Sequence, residues 1–193
     1  MNIAQMDMKT AFEHHCIKVL GIPIYVGLDK RLLDHNRFVF TDETMTIDDE
    51  LFVFSKIHSN AYRSKSNDVL FARKEGRLIK DDFTHEQNLI ISSENGRILV
   101  SGCSHTGVVN IQNEAEAITS GKITNVVGGF HLYNPPTKKY ENDELIDGIA
   151  NALNEKGSAY YTCHCTGFKA YERMKEILGD RLQYLSTGSE VVL

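Results

Sequence analysis

Three histidines close three successive apolar runs: His105 in SGCSHTGVVN, His131 in VVGGFHL and His164 in YYTCHCTG. A neutral imidazole at the end of a strand is a metal-ligand type. A ligating ring needs small neighbours for close approach and hydroxyl or carbonyl groups to fix its other nitrogen. The three strings supply both, with glycines beside each His and with Ser104, Thr106 and Thr166 as hydroxyls. One such His is an ordinary rim residue, whereas three approach the three-ligand set that an open zinc site requires. His164 is followed by Thr166-Gly167, where a new helical stripe begins. The free N–H groups at a helix start attract anions, so Thr166 and Gly167 are candidate anion binders and Lys169 their candidate charge partner.

Other reactive types are weaker candidates. Cys163 and Cys165 would face the side of a strand opposite to His164, which disfavours all three on one ion. With no C-x-x-C pair, the cysteines read as small buried packing groups, Cys103 excepted because its turn exposes the thiol. The string DDFTHEQNLII gathers Asp81, Asp82, His85 and Glu86, a candidate ligand cluster before a strand. His14, His15, His35 and His58 lack comparable surroundings and read as surface or rim residues.

The elements that must position these groups follow from periodicity. Phe12, Cys16, Val19 and Leu20 suggest a weak helix over Met1 to Leu20, which Gly21 stops. Ile24–Val26, Phe38–Phe40 and Leu51–Ile57 read as strands, Leu28–Asn36 as a turn or short helix, and TDETMTIDDE as a solvated loop. Residues 58–80 form a long polar connection of the kind that covers a site. Asn88–Ser92 and Arg97–Ser101 flank Glu94-Asn95-Gly96, a hairpin signal. Beyond it strands alternate with helical stripes at Val108/Ile111/Ala115/Ile118, Leu145/Ile149/Leu153 and Phe168/Tyr171/Met174/Ile177. The intervening and closing strands are Ile123–Val127, Ala159–Cys163, Leu182–Leu185 and Val191–Leu193. Repeated strand–helix units predict an α/β layered fold.

The bounds agree. The 193 residues suit a single domain with a real core, and 41% hydrophobic with 24% charged residues is ordinary for a globular chain. A net charge of −5 argues against nucleic acid or an anionic membrane as main partner. No apolar run approaches the ~20 residues of a membrane span. Four cysteines without an export signal favour free thiols and a cytoplasmic location.

Together GCSHTGVVN, VVGGFHL and YYTCHCTGFKA resemble the second half of the metallo-β-lactamase superfamily. The similarity is to the branch named after 7,8-dihydropterin-6-yl-methyl-4-(β-D-ribofuranosyl)aminobenzene-5′-phosphate synthase, and YVGLDKRLLDHNRFVFTDETMTIDDELFVFSKI and DDFTHEQNLII share it. The resemblance implies a four-layer αββα sandwich, an α+β arrangement in one domain over residues 1–193, with metal at the edge where the sheets meet. It makes His105 similar to the third ligand motif and His164 to the last. His131 falls where the superfamily usually places a bridging Asp. The implied cofactor is a divalent metal, zinc before manganese, iron or magnesium. The implied reaction is attack of a metal-activated water on an ester, phosphoester or related small molecule.

The motif H-x-H-x-D-H of the superfamily's first half is absent from the sequence. The expectation is therefore an N-terminally incomplete fold, with weak hydrolysis by this chain alone and unpaired strands open to self-association or a partner chain. The rival readings are a non-catalytic binding relative or fragment completed by a partner, and a Cys103-dependent redox or transfer enzyme.

Overall fold

The computed structural model describes residues 15–19, 21–27, 29–32 and 35–193. Its largest element is a seven-stranded mixed sheet. In chain order its strands are β3 (Thr44–Thr46), β4 (Leu51–Phe54), β7 (Asn88–Ser93), β8 (Gly96–Ser101), β9 (Asn125–Gly128), β12 (Ala159–Thr162) and β13 (Leu182–Tyr184). Across the sheet they run β13-β12-β9-β8-β7-β4-β3. From β3 to β8 the pairs are antiparallel; from β8 to β13 they are parallel.

Parallel neighbours need a crossover, and each one here is a helix. These are α1 (Val108–Thr119), α2 (Asp143–Lys156) and α3 (Phe168–Leu178). The helices end where their sequences dictate. Asn142 caps α2 by accepting the Leu145 N–H, and Gly157 stops it in the left-handed conformation at φ 67°.

The core is one row of side chains across the sheet. Register aligns Ile90, Leu99, Val126, Tyr160 and Leu182, each 0% exposed. Ile111, Ala115, Ile149, Leu153, Ala170 and Met174 of the helices join that cluster. Each large side chain buried there contributes roughly 1.5–3 kcal/mol. Tyr160 keeps its hydroxyl satisfied by donating to the Leu153 carbonyl at 2.8 Å.

A four-stranded antiparallel sheet, β2-β1-β5-β6, is built from β1 (Cys16–Val19), β2 (Ile22–Tyr25), β5 (Leu70–Lys74) and β6 (Arg77–Lys80). A two-stranded ribbon joins β10 (Tyr133–Asn134) to β11 (Lys139–Tyr140).

Several expectations need correction. Cys16–Val19 is strand, not helix, because Gly21 at φ 82° lets Ile22–Tyr25 fold back beside it and β5 pairs its other side; Met1–His14 and Leu20 lie outside the described residues. Residues 58–80 are not an unstructured connection. They hold a short 3-10 helix, Lys65–Val69, and the β5–β6 hairpin, whose Glu75-Gly76 turn has φ of 50° and 76°. That is the primed-turn signature, written with Glu-Gly instead of the stronger Asn-Gly. Within TDETMTIDDE, Thr44–Thr46 pairs with β4 as an edge strand, where polar side chains are the rule. No strand forms at Phe38–Phe40 or Val191–Leu193.

Candidate metal centre

Strands β8, β9 and β12 are parallel neighbours, so their carboxyl ends lie along one edge of the sheet. His105 follows β8, His131 follows β9 and His164 opens the 3-10 turn His164–Thr166 after β12. The three residues singled out by type are thus gathered by strand direction alone, at the crevice where open α/β sheets hold ligands.

Glycines make the approach possible. A Cβ on Gly128 would lie 2.6 Å from the Ser101 carbonyl oxygen, and one on Gly129 would lie 2.6 Å from Cys165 Sγ. The loops then lock together: Gly129 N–H donates to the Gly102 carbonyl and Leu132 N–H to the Cys165 carbonyl. Ser104, His131 and His164 sit at φ of 57°, 50° and 50°. Positive φ in non-glycine residues clusters at sites the surrounding structure over-determines.

His105 is held on all sides. Asn67, from the 3-10 helix, donates its amide to the His105 carbonyl at 2.7 Å, which turns its own oxygen toward His105 Nδ1 at 2.9 Å. Nδ1 therefore carries the proton and Nε2 keeps its lone pair for a ligand. The Phe83 ring stacks on His105 with centroids 4.5 Å apart and planes 4° apart. The loop backbone is clamped by Glu86, whose carboxylate accepts His105 N–H (2.6 Å), Thr106 N–H (2.9 Å) and the Thr106 hydroxyl (2.6 Å).

His131 stands 4.1 Å from His105, ring centroid to centroid. It is buried, and among the described residues neither of its ring nitrogens has a hydrogen-bond partner. Burial, with His105 and His164 nearby, lowers its pKa to about 3, so the ring is neutral at physiological pH. A buried imidazole with two orphaned nitrogens is costly on its own. Beside it, Cys103, His164 and Cys165 each bring one ligand atom within 4.8 Å of the others. The Cys103 thiol is pushed down, chiefly by the Cys165 thiol and then by the neighbouring His105 ring; Cys165 is pushed up by Cys103 and by burial. Cys165 is therefore more than packing. Its partners are Cys103 and His164, because β12 ends at Thr162 and strand alternation no longer applies at 163–165.

The other sequence candidates separate. Thr166 is buried and its hydroxyl is fully used, accepting Phe130 N–H and lying 2.5 Å from the Thr162 hydroxyl. It pins two loops together and has nothing left for an anion. Gly167, at φ 71°, is pressed against Tyr133 and Tyr140, while Lys169 is exposed. Asp82 caps Thr84 and pairs with Lys74, and Glu86 is the clamp just described; neither carboxylate is a free ligand. Their neighbour Asp81 joins His85 and His15 instead. His15 is thus no mere surface residue.

Two residues escaped sequence reasoning altogether. Asn67 lies 38 residues from the His it orients. Glu141 is a buried carboxylate that accepts both Ser64 and Ser66 hydroxyls and the Ser66 N–H, fixing the turn that carries Asn67. No local pattern marks either, because their partners are distant in the chain.

No family model matches the chain. A search of solved structures finds the crystal structure of Tm1679, a metal-dependent hydrolase of the beta-lactamase superfamily, at TM-score 0.75 over 93% of this chain and 67% of that one, with 24% identity. The chain has the metallo-β-lactamase fold. By sequence it is 30% identical over 157 residues, 79% of its length, to 7,8-dihydropterin-6-methyl-4-(beta-D-ribofuranosyl)-aminobenzene-5'-phosphate synthase of Methanocaldococcus jannaschii. It is 25% identical over 158 residues to the uncharacterised protein MJ0448 of the same organism. It spans 51% and 56% of those two relatives, about half of each. No helix among the described residues is long and apolar enough to cross a membrane.

Proposed function

We propose that the chain carries the metal centre of a metallo-β-lactamase-type hydrolase, with His105, His131 and His164 as ligands and a small ester or phosphoester as substrate. The observation that carries this reading is His131, buried with both ring nitrogens unpartnered beside His105. A metal ion is the partner that accounts for such a ring at the carboxyl edge of parallel strands. The residues fit a zinc-class ion: three imidazoles, with the Cys103 and Cys165 sulfurs as adjacent soft donors. When bound, such an ion supplies Lewis acidity at neutral pH. The protein's part is positional. Asn67 fixes the His105 tautomer, Glu86 holds the loop and Phe83 walls off one face of the ring. Lys169 stands exposed near the start of α3, where an anionic substrate would meet both its charge and the helix N-terminus.

The named relative is a synthase, so group transfer on a phosphorylated pterin-like molecule belongs to the same proposal. A second reading, a binding relative or a half-site completed by another chain, draws on the missing H-x-H-x-D-H and on the half-length match to the relatives. Metal analysis of the purified chain beside His105→Ala/His164→Ala, with a chromogenic phosphodiester assay, separates them. Metal lost in the variant and hydrolysis above background support the first reading. Metal without hydrolysis favours the second, and equal metal in both proteins rejects the ligand set.

A further inference from the structure

The second cluster of ligand-type side chains gathers residues from both ends of the four-stranded sheet's sequence, beside Phe83. His15 directly precedes β1, and its carbonyl accepts the Val26 N–H at 2.8 Å. Asp81 directly follows β6, and its N–H donates to the Leu70 carbonyl. Both are therefore anchored as extensions of the four-stranded sheet. Asp81 Oδ1 accepts the Phe83 N–H at 2.8 Å, which sets the carboxylate's orientation. Phe83 itself holds φ at 57°, an unfavourable value for a bulky residue. That turn carries His85 back over Asp81.

The three side chains then converge. His15 Nδ1 lies 2.7 Å from Asp81 Oδ2, and the His15 and His85 ring centroids lie 3.7 Å apart with the planes tilted by 34°. His85 Nδ1 is 3.7 Å from Asp81 Oδ1, too far for a hydrogen bond. The Asp81 carboxylate is already met by the Phe83 N–H on one oxygen and by His15 Nδ1 on the other. A second ring set against the first, with its nitrogen facing the same carboxylate without bonding it, has no role in a simple ion pair. A cation among the three groups gives it one.

We propose that His15, Asp81 and His85 form a second site for a divalent transition metal of the zinc class, independent of the His105 centre. Two imidazoles and one carboxylate, with solvent completing the shell, are an accepted donor set for zinc and for non-haem iron. Bonds of about 2.0–2.2 Å in a tetrahedral shell place ligand atoms roughly 3.5 Å apart. Here one ligand atom from each residue lies within 4.8 Å of the others, so side-chain rotation alone closes the shell. Exposure is graded to suit: the Asp81 side chain is 4% exposed, His15 17% and His85 37%, a closed floor with an opening beside His85. The Phe83 ring neighbours both sites, 6.0 Å from His85 and 4.5 Å from His105 by ring centroids.

The test is Zn²⁺ titration of the full chain after chelation, with bound metal counted and thermal unfolding followed with and without Zn²⁺. The variants are His15→Gln, His85→Gln and His131→Gln. The expected result is one equivalent lost in His15→Gln and in His85→Gln but retained at this site in His131→Gln. Zn²⁺ should also raise the melting temperature of His131→Gln and raise that of His15→Gln less than wild type. Wild-type stoichiometry and affinity in a folded His15→Gln would overturn the site, whatever His131→Gln does. A loss confined to His131→Gln overturns this proposal and leaves the first centre standing; the reverse pattern rejects His131 as a ligand and leaves this site. Should His85→Gln fail to fold by circular dichroism, His15→Gln decides alone, since its ring is the only part of that residue the site uses.

Discussion

The parallel half of the seven-stranded sheet and the antiparallel β2-β1-β5-β6 sheet place ligand-type residues by opposite means. In the first, helices cover a row of fully buried side chains, and strand direction brings His105, His131 and His164 to one edge. In the second, every residue of β2 is exposed, with Ile22 at 65% and Ile24 at 48%. His15, Asp81 and His85 meet there only because a hairpin and a strained turn bring two strand ends together. A buried parallel edge organises a site through topology; a solvated antiparallel sheet does so through individual turns and hydrogen bonds. Errors in packing should therefore cost the first region more than the second.

The sharpest way to break that contrast is Glu86→Ala. It leaves the half-buried His105 N–H and the buried Thr106 N–H and hydroxyl without their charged acceptor, and each such loss costs about 1–3 kcal/mol. We expect a loss of roughly 3–5 kcal/mol in urea unfolding; a change below about 1 kcal/mol would mean the loop has another anchor.

Gly128→Ala comes next. The new methyl meets the Ser101 backbone oxygen at 2.6 Å, and backbone in a paired strand cannot step aside. Overpacking of this kind costs about 1–3 kcal/mol. Gly102→Ala, in the neighbouring loop with nothing within 4 Å of the added carbon, is the control and should be nearly silent.

Asn67→Ala sharpens the comparison at the level of function. Little of the fold depends on it, but the His105 tautomer does. Metal affinity at the His105 centre should fall about 10–100-fold, with Zn²⁺ binding at His15/Asp81/His85 unchanged. Competition against a chromophoric chelator reads both. Equal weakening of the two sites would mean that they are one.

The smallest effect belongs to the exposed sheet. Ile24→Lys should change stability by no more than about 0.5 kcal/mol, since surface positions outside special contacts are tolerant. A charge on an edge strand also blocks edge pairing. If light scattering shows a larger wild-type assembly that this variant dissolves, β2 is an interface and the contrast drawn here changes.

Much of the parallel half was legible from residues alone. The stripes of α1, α2 and α3, the Glu94-Asn95-Gly96 hairpin and the three strand-end histidines are local patterns, in which residues a few positions apart share one face or one turn. The N-terminal part was not. Cys16–Val19 has a spacing compatible with helix, and only pairing with β2 and β5 makes it strand. Likewise Thr166 has the composition of an anion site, but its hydroxyl is taken up by Phe130 and Thr162.

By itself, then, the sequence determined which strands end in ligand-type side chains, because strand and helix periodicity are short-range properties. Tertiary structure alone decided that Asn67 orients His105, that Glu86 clamps rather than ligates, that Cys103 faces Cys165, and that His15 meets Asp81 and His85. Those relations join residues 19 to 70 positions apart. Long-range contacts of that kind are set by how sheets register and pack, and no local pattern of residue types encodes them.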